Sequence, residues 1–308
     1  MWTAIILAAM VAAGTAAYGA WAYCAVADGA RLWPFIVGIP LAYLAVPLLA
    51  TISWFALAWW FRAERPGDLH LALWPQILMF GREFRALARS IPRMILYRWL
   101  MPEPRPAPAK LPILLLHGVG CNAGVWSGLR RHLAKCGIGP VYALSYGPPL
   151  ASIEHFADQV ADRIAGIEAA TGAGQVVLVG HSMGGLVARA YLRQYGGAKV
   201  RRLITIGTPH HGSMHAWLMA GASLAQMRPA NAWLSALNGN AEGANGVPVA
   251  SIWSWHDSMV TPQTSSRIRW GENIVLTGIG HNALLDDPLV WANVVAQIGR
   301  AATSGSPA

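Results

Sequence analysis

The sequence predicts an α/β fold, a mostly parallel sheet flanked by helices, preceded by a two-helix transmembrane hairpin. Three observations carry this reading. From about Leu111 onward, short β-branched and apolar runs alternate with helix-patterned stretches, the pattern of a parallel sheet with right-handed crossovers. One such run, Gln175–Val179, leads into Gly180-His181-Ser182-Met183-Gly184 and then a helical pattern to about Tyr195. That is G-x-S-x-G on a strand-to-helix turn. Upstream, neither Trp2–Ala27 nor Leu32–Phe61 contains a charged residue, and each exceeds the roughly 20 residues that span a bilayer.

The 308 residues leave room for one large α/β domain plus extra elements. Only 12% of them are charged, against roughly 25% in soluble domains. The net charge of +9 clusters just after the apolar region, which suits an anionic membrane surface. No nucleic-acid motif is present, so the expected partners are membrane lipids and an apolar substrate, with no nucleic acid; nothing in the sequence points to a protein partner. Cys121 and Cys136 flank a predicted helix that holds them roughly 18 Å apart, too far for a disulfide. With Cys24 they read as free thiols.

The first apolar span lacks a positive n-region and is longer than a signal peptide's core, so it reads as a retained helix. The second closes with Ala58-Trp59-Trp60-Phe61, an interfacial belt. Pro40 and Pro47 are expected to kink it, which membrane helices tolerate. The turn Asp28-Gly29-Ala30-Arg31 permits only a hairpin, so both ends emerge on one side. Arg62 and Arg65 follow the second span, and the positive-inside rule puts the C-terminal part in the cytoplasm. The expectation is a multi-pass protein of the bacterial inner membrane with a cytoplasmic catalytic domain.

Leu69–Met101 mixes apolar residues with Arg82, Arg85, Arg89, Arg93 and Arg98, spaced close to one helical stripe. Two readings stay open: a helix packed on the globular domain, and a helix lying in the interface with its arginines on lipid phosphates. Pro75 and Pro92 are expected to break it into pieces. Met101–Pro112 carries five prolines and reads as an extended linker. The chain therefore divides into a hairpin (1–65), a basic segment and linker (66–110), and a catalytic domain (111–308) with a short cap at about 213–245.

Within the catalytic part, strands are expected at Ile113–Leu116, Pro140–Leu144, Gln175–Val179, Val200–Ile206, Val247–Ser254 and Asn273–Leu276. Helices are expected at Asn122–Lys135, Ser152–Ala170, the run after Gly184, and Pro288–Ala301. Thr303–Ala308 reads as a frayed tail.

The chemistry starts from the serine. Gly180 and Gly184 flank a turn too tight for Cβ atoms, and Ser182 is expected in a strained conformation that lifts its Oγ out. His181 and Met183 complete the elbow. A serine hydroxyl needs a base, and the base needs an orienting acid. In this arrangement both come after the serine, acid before histidine. The acids between Ser182 and the last histidine are Glu242, Asp257 and Glu272. Glu242 lies in a Gly/Asn-rich loop. Glu272 precedes its strand, at the sheet edge away from the serine. Asp257 follows a strand at the serine's own edge, which makes it the candidate acid. His281, in Gly278-Ile279-Gly280-His281-Asn282, is the one histidine after Asp257 and the candidate base. The N–H groups of Met183 and Val119 are the candidate oxyanion donors, with Gly118 and Gly120 letting the second backbone approach. No cofactor is expected.

His210, His211 and His215 are weighed as metal ligands, since 211 and 215 stand one helical turn apart. No cysteine or acid of matching spacing joins them, so they read as structural or rim residues, with no metal. Ser213–Leu237 is rich in Met, Trp and Leu. It fits a buried helix pair, and equally a cap whose apolar side chains suit an acyl chain.

Taken together, H-G-V-G-C-N, G-H-S-M-G-G, G-T-P-H-H-G-S, S-W-H-D-S-M-V-T-P and G-I-G-H resemble the bacterial triacylglycerol lipase and esterase families of α/β-hydrolases, over about Leu111–Ala301. The resemblance implies the α/β-hydrolase fold and carboxylic-ester hydrolysis through an acyl-enzyme. Residues 1–110 lie outside it. Two rival readings are an acyltransferase, in which an alcohol replaces water, and a non-catalytic membrane module.

Overall fold

A computed structural model describes residues 2–239 and 245–303; Glu242 and tail residues 304–308 lie outside the described residues. Six strands form one sheet in the order β2-β1-β3-β4-β5-β6, all paired in parallel. They are β1 (Ile113–Leu116), β2 (Val141–Leu144), β3 (Val176–His181), β4 (Val200–Ile206), β5 (Val249–Ser254) and β6 (Glu272–Leu276). The helices are α1 (Trp2–Ala27), α2 (Trp33–Trp60), α3 (Leu73–Ile95), α4 (Tyr97–Leu100), α5 (Ser127–Lys135), α6 (Ile153–Thr171), α7 (Met183–Tyr195), α8 (Ala222–Gln226), α9 (Ala232–Gly239) and α10 (Pro288–Thr303).

Period-two alternation sends successive strand residues to opposite faces of the sheet. Leu114, Leu116, Leu178 and Leu203 join one core with Phe156 and Val160 of α6 and Leu186 and Val187 of α7. Ile113, Leu115, Val177, Val179 and Ile204 join the other with Leu129 and Leu133 of α5 and Val290 and Val294 of α10. Both faces are covered, which is why the strands read as continuous apolar runs. Local signals set the ends. The Ser152 side chain accepts from His155 N–H at 3.2 Å and starts α6, and Gly172, at φ 70°, closes it. Asn122 accepts from Gly124 N–H at 2.9 Å. The first turn after it is 3-10, and α5 proper starts at Ser127 rather than directly after Asn122.

The basic segment departs from expectation. The prolines do not break it: α3 runs unbroken from Leu73 to Ile95. Pro75 sits in the first turn, where its missing N–H costs nothing. Pro92 leaves the Ala88 carbonyl without its usual partner, and the Tyr43 hydroxyl donates to that oxygen at 2.8 Å. Met79, Glu83, Ala86, Ser90 and Met94 are buried at the spacing of one helical face. That face is seated on the sheet-bearing part of the chain: Asn122 Nδ2 donates to Met94 O at 2.9 Å, and Arg93 pairs with Asp286 at 2.7 Å. Of the two readings left open, the structure has the packed helix, with Arg82, Arg85 and Arg89 on its outer side.

The stretch 101–112 has no helix or strand, as its prolines require, yet it is held to the surface. Glu103 pairs with Arg163 at 2.6 Å, and Ala109 N–H donates to Thr171 O at 3.1 Å. At about 1.5 Å per residue, α1 and α2 are roughly 39 and 42 Å long, from 26 and 28 residues. α2 continues through both Pro40 and Pro47. Trp21 of α1 meets Phe35 of α2 edge-on at 5.0 Å, and the Tyr18 hydroxyl donates to Phe35 O at 2.9 Å. No residue of α1 is buried, and α2 buries Pro47, Thr51 and Ala58.

Candidate active site

The site is assembled from loops at the carboxyl edge of the sheet. β3 ends at His181, and the chain turns into α7 through Ser182 at φ 54°, ψ −126°. That conformation costs a non-glycine residue roughly 1–3 kcal/mol and persists because its surroundings fix it. The Ser182 N–H donates to Ile206 O at 2.9 Å. A Cβ on Gly180 would stand 2.6 Å from the Gly184 carbonyl carbon. One on Gly184 would collide with the backbone of Leu116 and His117. Only glycine fits at either position.

Asp257 and His281 lie on the loops after β5 and β6. The His281 Nδ1–H donates to Asp257 Oδ2 at 2.8 Å, with side chains 3% and 2% exposed. The other oxygen, Asp257 Oδ1, accepts from Met259 N–H at 2.8 Å and Val260 N–H at 2.7 Å, so the carboxylate is fixed from both ends. Burial opposes charge on the imidazole. The charge and hydrogen bond of Asp257, with Glu83 behind it, outweigh burial and raise His281 above its ordinary value.

His181 sits against this pair, its ring centroid 4.6 Å from that of His281. Its Nε2–H donates to the His281 carbonyl at 3.2 Å. Burial, followed by the charge of His281, drives its pKa well below 6.5, so it acts as a neutral donor. The loop after β1 closes the other side. A Cβ on Gly118 would lie 3.0 Å from Ser182 Cβ and 3.5 Å from Oγ, which measures how near this backbone comes to the serine. The Tyr146 hydroxyl donates to His117 O. Val119 lines the same cavity as Ser182. Met183 opens α7, and N–H groups of a first helical turn have no intrahelical acceptor.

Ser182, Val119 and His281 face a cavity of about 230 Å³ whose other walls include Leu218, Met219, Leu224 and Met227. Those four come from the segment weighed as a cap. Trp54, from the second apolar helix, lines it too. A separate cavity of about 510 Å³ lies between α2 and α3 and reaches His256 and Asp257.

The three weighed histidines diverge. His210 is buried with its Nε2 at 3.1 Å from Thr205 Oγ1 and Nδ1 at 3.4 Å from the Arg189 guanidinium. His211 approaches Arg267 O at 3.2 Å through Nε2. His215 lines the serine cavity with Nδ1 at 3.2 Å from Thr261 Oγ1, and burial lowers its pKa to about 4. Among the described residues no group of three or more His, Cys, Asp and Glu is placed to hold a metal. Glu272 sits at the amino end of β6, paired with Arg300 at 2.7 Å and Arg202 at 3.4 Å.

Two residues at the site escaped the sequence. Trp54 sits in a membrane-like run that gave no reason to link it to the serine. Glu83 stands before Ser182, whereas the acid of a Ser–acid–His order stands after it. Its signal was present: Glu83 is the one acid in Leu69–Met101, and it falls on the apolar stripe.

Residues 112–232 match the family model described as alpha/beta hydrolase fold. Triacylglycerol lipases of Pseudarthrobacter phenanthrenivorans and Burkholderia plantarii are each 33% identical to this chain over 119 residues. Those residues are 35% of this chain, and 35% and 32% of the two relatives. The chain thus spans about a third of the length of the curated relatives it matches. Among solved structures, Aspergillus fumigatus lipase B is similar at TM-score 0.59 and 19% identity, over 82% of this chain and 78% of that one. The mature form of a Bacillus licheniformis lipase is similar at TM-score 0.55 and 17% identity, over 63% of this chain and 95% of that one. The chain carries the α/β-hydrolase fold, behind two long apolar helices.

Proposed function

We propose that this chain is a membrane-anchored serine carboxylic-ester hydrolase of the lipase/esterase kind, acting on lipid-like esters through an acyl-enzyme. The observation that carries the reading is one arrangement: Ser182, at φ 54°, shares an apolar cavity with His281, whose Nδ1–H is held by buried Asp257.

In this reading Ser182 Oγ attacks the ester carbonyl carbon while its proton passes to His281 Nε2. Asp257 keeps the proton on Nδ1, so Nε2 is free to accept, and it stabilises the imidazolium that forms. The carbonyl oxygen becomes an oxyanion held by the N–H groups of Val119 and Met183. As the intermediate collapses, the bond to the alcohol oxygen breaks and Nε2 gives that oxygen its proton. Water then repeats the sequence and releases the acid. The Leu, Met and Trp54 walls of the cavity suit an acyl chain. The lipase relatives support a lipid-like ester as the substrate class.

The same proposal places α1 and α2 across the bacterial inner membrane, with the hydrolase part on the cytoplasmic side. Their length, exposed apolar surface and connecting turn support it, because surface of that extent is not left in water. Initial rates on short- and long-chain p-nitrophenyl esters, measured on the detergent-solubilised full chain and on Ser182→Ala, test the chemistry. Turnover by the wild type alone is expected; equal turnover by the variant refutes it.

A further inference from the structure

Glu83 is fully buried, at 0% exposure, in the middle of α3, far upstream of the serine in sequence. Its carboxylate accepts four hydrogen bonds. Oε1 takes Ser258 Oγ–H at 2.7 Å, Asn282 N–H at 3.0 Å and Asn282 Nδ2–H at 2.9 Å. Oε2 takes Ala283 N–H at 2.9 Å. Ser258 in turn accepts from the His281 N–H at 3.2 Å. The residue after Asp257 and the residues after His281 are therefore gathered on one carboxylate. A Cβ on Gly280 would stand 2.8 Å from Glu83 Cδ, so glycine there lets the histidine loop lie against it.

The chemistry of these partners selects a carboxylate. All four bring hydrogens, and an ionised carboxyl group is acceptor-only, with room for about four donors. An amide would turn an NH₂ toward at least one of them. A buried carboxylate whose partners are neutral N–H and O–H groups carries a desolvation cost, so the position is not one that stability alone favours. The titratable groups facing His281 are Asp257 from the loop after β5, Glu83 from α3, His181 at the end of β3, and His215 from the cap segment. His181 and His215 are held neutral by burial. Asp257 and Glu83 supply the two negative charges.

We infer that Glu83 is a positioning residue for the proposed reaction: it locks the His281 loop to the Asp257–Ser258 turn, keeping the ring on Asp257, and its charge favours the imidazolium formed as Ser182 attacks. A helix from outside the catalytic part of the chain thereby completes the site. Arg93 of the same helix, bound to Asp286 by two contacts at 2.7 and 2.9 Å, clamps the other end of the loop that begins at His281. The raised pKa of His281, to which Glu83 contributes behind Asp257, agrees with this.

The inference rests on the ester-hydrolase reading, and the test separates the two. Full-length wild type, Glu83→Gln, Glu83→Asp and Ser258→Ala are compared in detergent on a short water-soluble ester. Rates are counted per site titrated with a fluorophosphonate, and melting is followed alongside. Glu83→Gln should lose kcat by the order of 10²-fold, the cost of misplacing a reacting group by about 1 Å, with KM unchanged. The acid limb of its kcat/KM profile should move to lower pH, because the base is the neutral imidazole and a lost negative charge makes it easier to deprotonate. Glu83→Asp keeps the charge, so its acid limb should stay with wild type even where kcat falls. If Glu83→Gln does not fold, Ser258→Ala, which frees the His281 N–H from the carboxylate, must lower kcat with KM unchanged. Wild-type kcat and an unmoved acid limb in a folded Glu83→Gln, or wild-type kcat in Ser258→Ala, would overturn the inference. So would a lower melting temperature with unchanged kcat per titrated site. Failure of the wild type to be labelled at Ser182 would instead reject the reading beneath it.

Discussion

Asp257→Asn is the most informative single change at the acid, because the structure says which way the new amide must turn. Asp257 Oδ1 accepts two backbone N–H groups, at 2.8 and 2.7 Å, and Oδ2 accepts one ring N–H. An asparagine has one oxygen and one NH₂. Placing the NH₂ on the backbone side sets it against two donors; placing it on the histidine side sets it against one. The second is cheaper, and it forces His281 to present a bare Nδ1 and carry its proton on Nε2. That tautomer cannot take the proton from Ser182. The expected loss in kcat is of the order of 10⁴, or about 5.5 kcal/mol at 1.36 kcal/mol per tenfold. Fold and KM should be nearly unchanged, because both backbone hydrogen bonds survive. The pH profile gives an independent sign. His281 titrates above its ordinary value because Asp257 outweighs burial, and activity appears as pH rises through that value. Removing the carboxylate charge lowers it, so the acid limb of the residual activity should move to lower pH. The assay is kcat/KM against pH on a p-nitrophenyl ester, with Glu272→Gln as control. Glu272 sits at the far edge, paired with exposed Arg300 and with largely buried Arg202. Its loss should leave activity on the ester unchanged. An Asp257→Asn enzyme within tenfold of wild type, or a crippled Glu272→Gln, would show that the acid was assigned wrongly.

Gly184→Ala should prevent accumulation of folded protein, since its Cβ meets backbone oxygen of Leu116 and His117 that a side-chain rearrangement cannot move; a soluble, active variant would contradict the packing of the elbow. Arg82, Arg85 and Arg89 line a hollow beside Asp286 and Asp287. At about 1 kcal/mol each near an anionic surface, replacing all three with Gln should lower activity on a long-chain ester presented in anionic vesicles at low salt. Activity on a short soluble ester should hold, and loss there would assign the arginines to folding. The full chain should stay with membranes through an alkaline carbonate wash, and a C-terminal reporter should read cytoplasmic; a periplasmic signal would reverse the orientation and leave the chemistry intact.

The legible and the hidden parts of this fold have a common physical cause. The strands were legible because both faces of the sheet are buried, so Val176–Val179 and Leu203–Ile206 are apolar almost without interruption. Ser182 was legible because the tight turn admits only glycine at 180 and 184. Asp257 and His281 were legible from strand ends, since both sit on carboxyl-edge loops. The course of α3 was hidden. Pro92 reads as a break, but the carbonyl it leaves unpaired is met by Tyr43, a tertiary contact no local pattern encodes. Glu83 showed in the sequence only as a lone acid on an apolar stripe; its partners, residues 258, 282 and 283, lie nearly two hundred positions away. This bears on protein design. Trimming the chain to start near Pro108, which a tethering linker would suggest, removes Glu83, Arg93 and the buried face of α3 together.

Covalent labelling is the sharpest test of whether Ser182 is a nucleophile activated by His281 and oriented by Asp257. The detergent-solubilised full chain is treated with a fluorophosphonate and the adduct is mapped by mass spectrometry. One adduct is expected, on Ser182, formed orders of magnitude more slowly in His281→Ala and absent in Ser182→Ala. An adduct on another serine, or labelling of Ser182→Ala at the wild-type rate, would contradict that assignment.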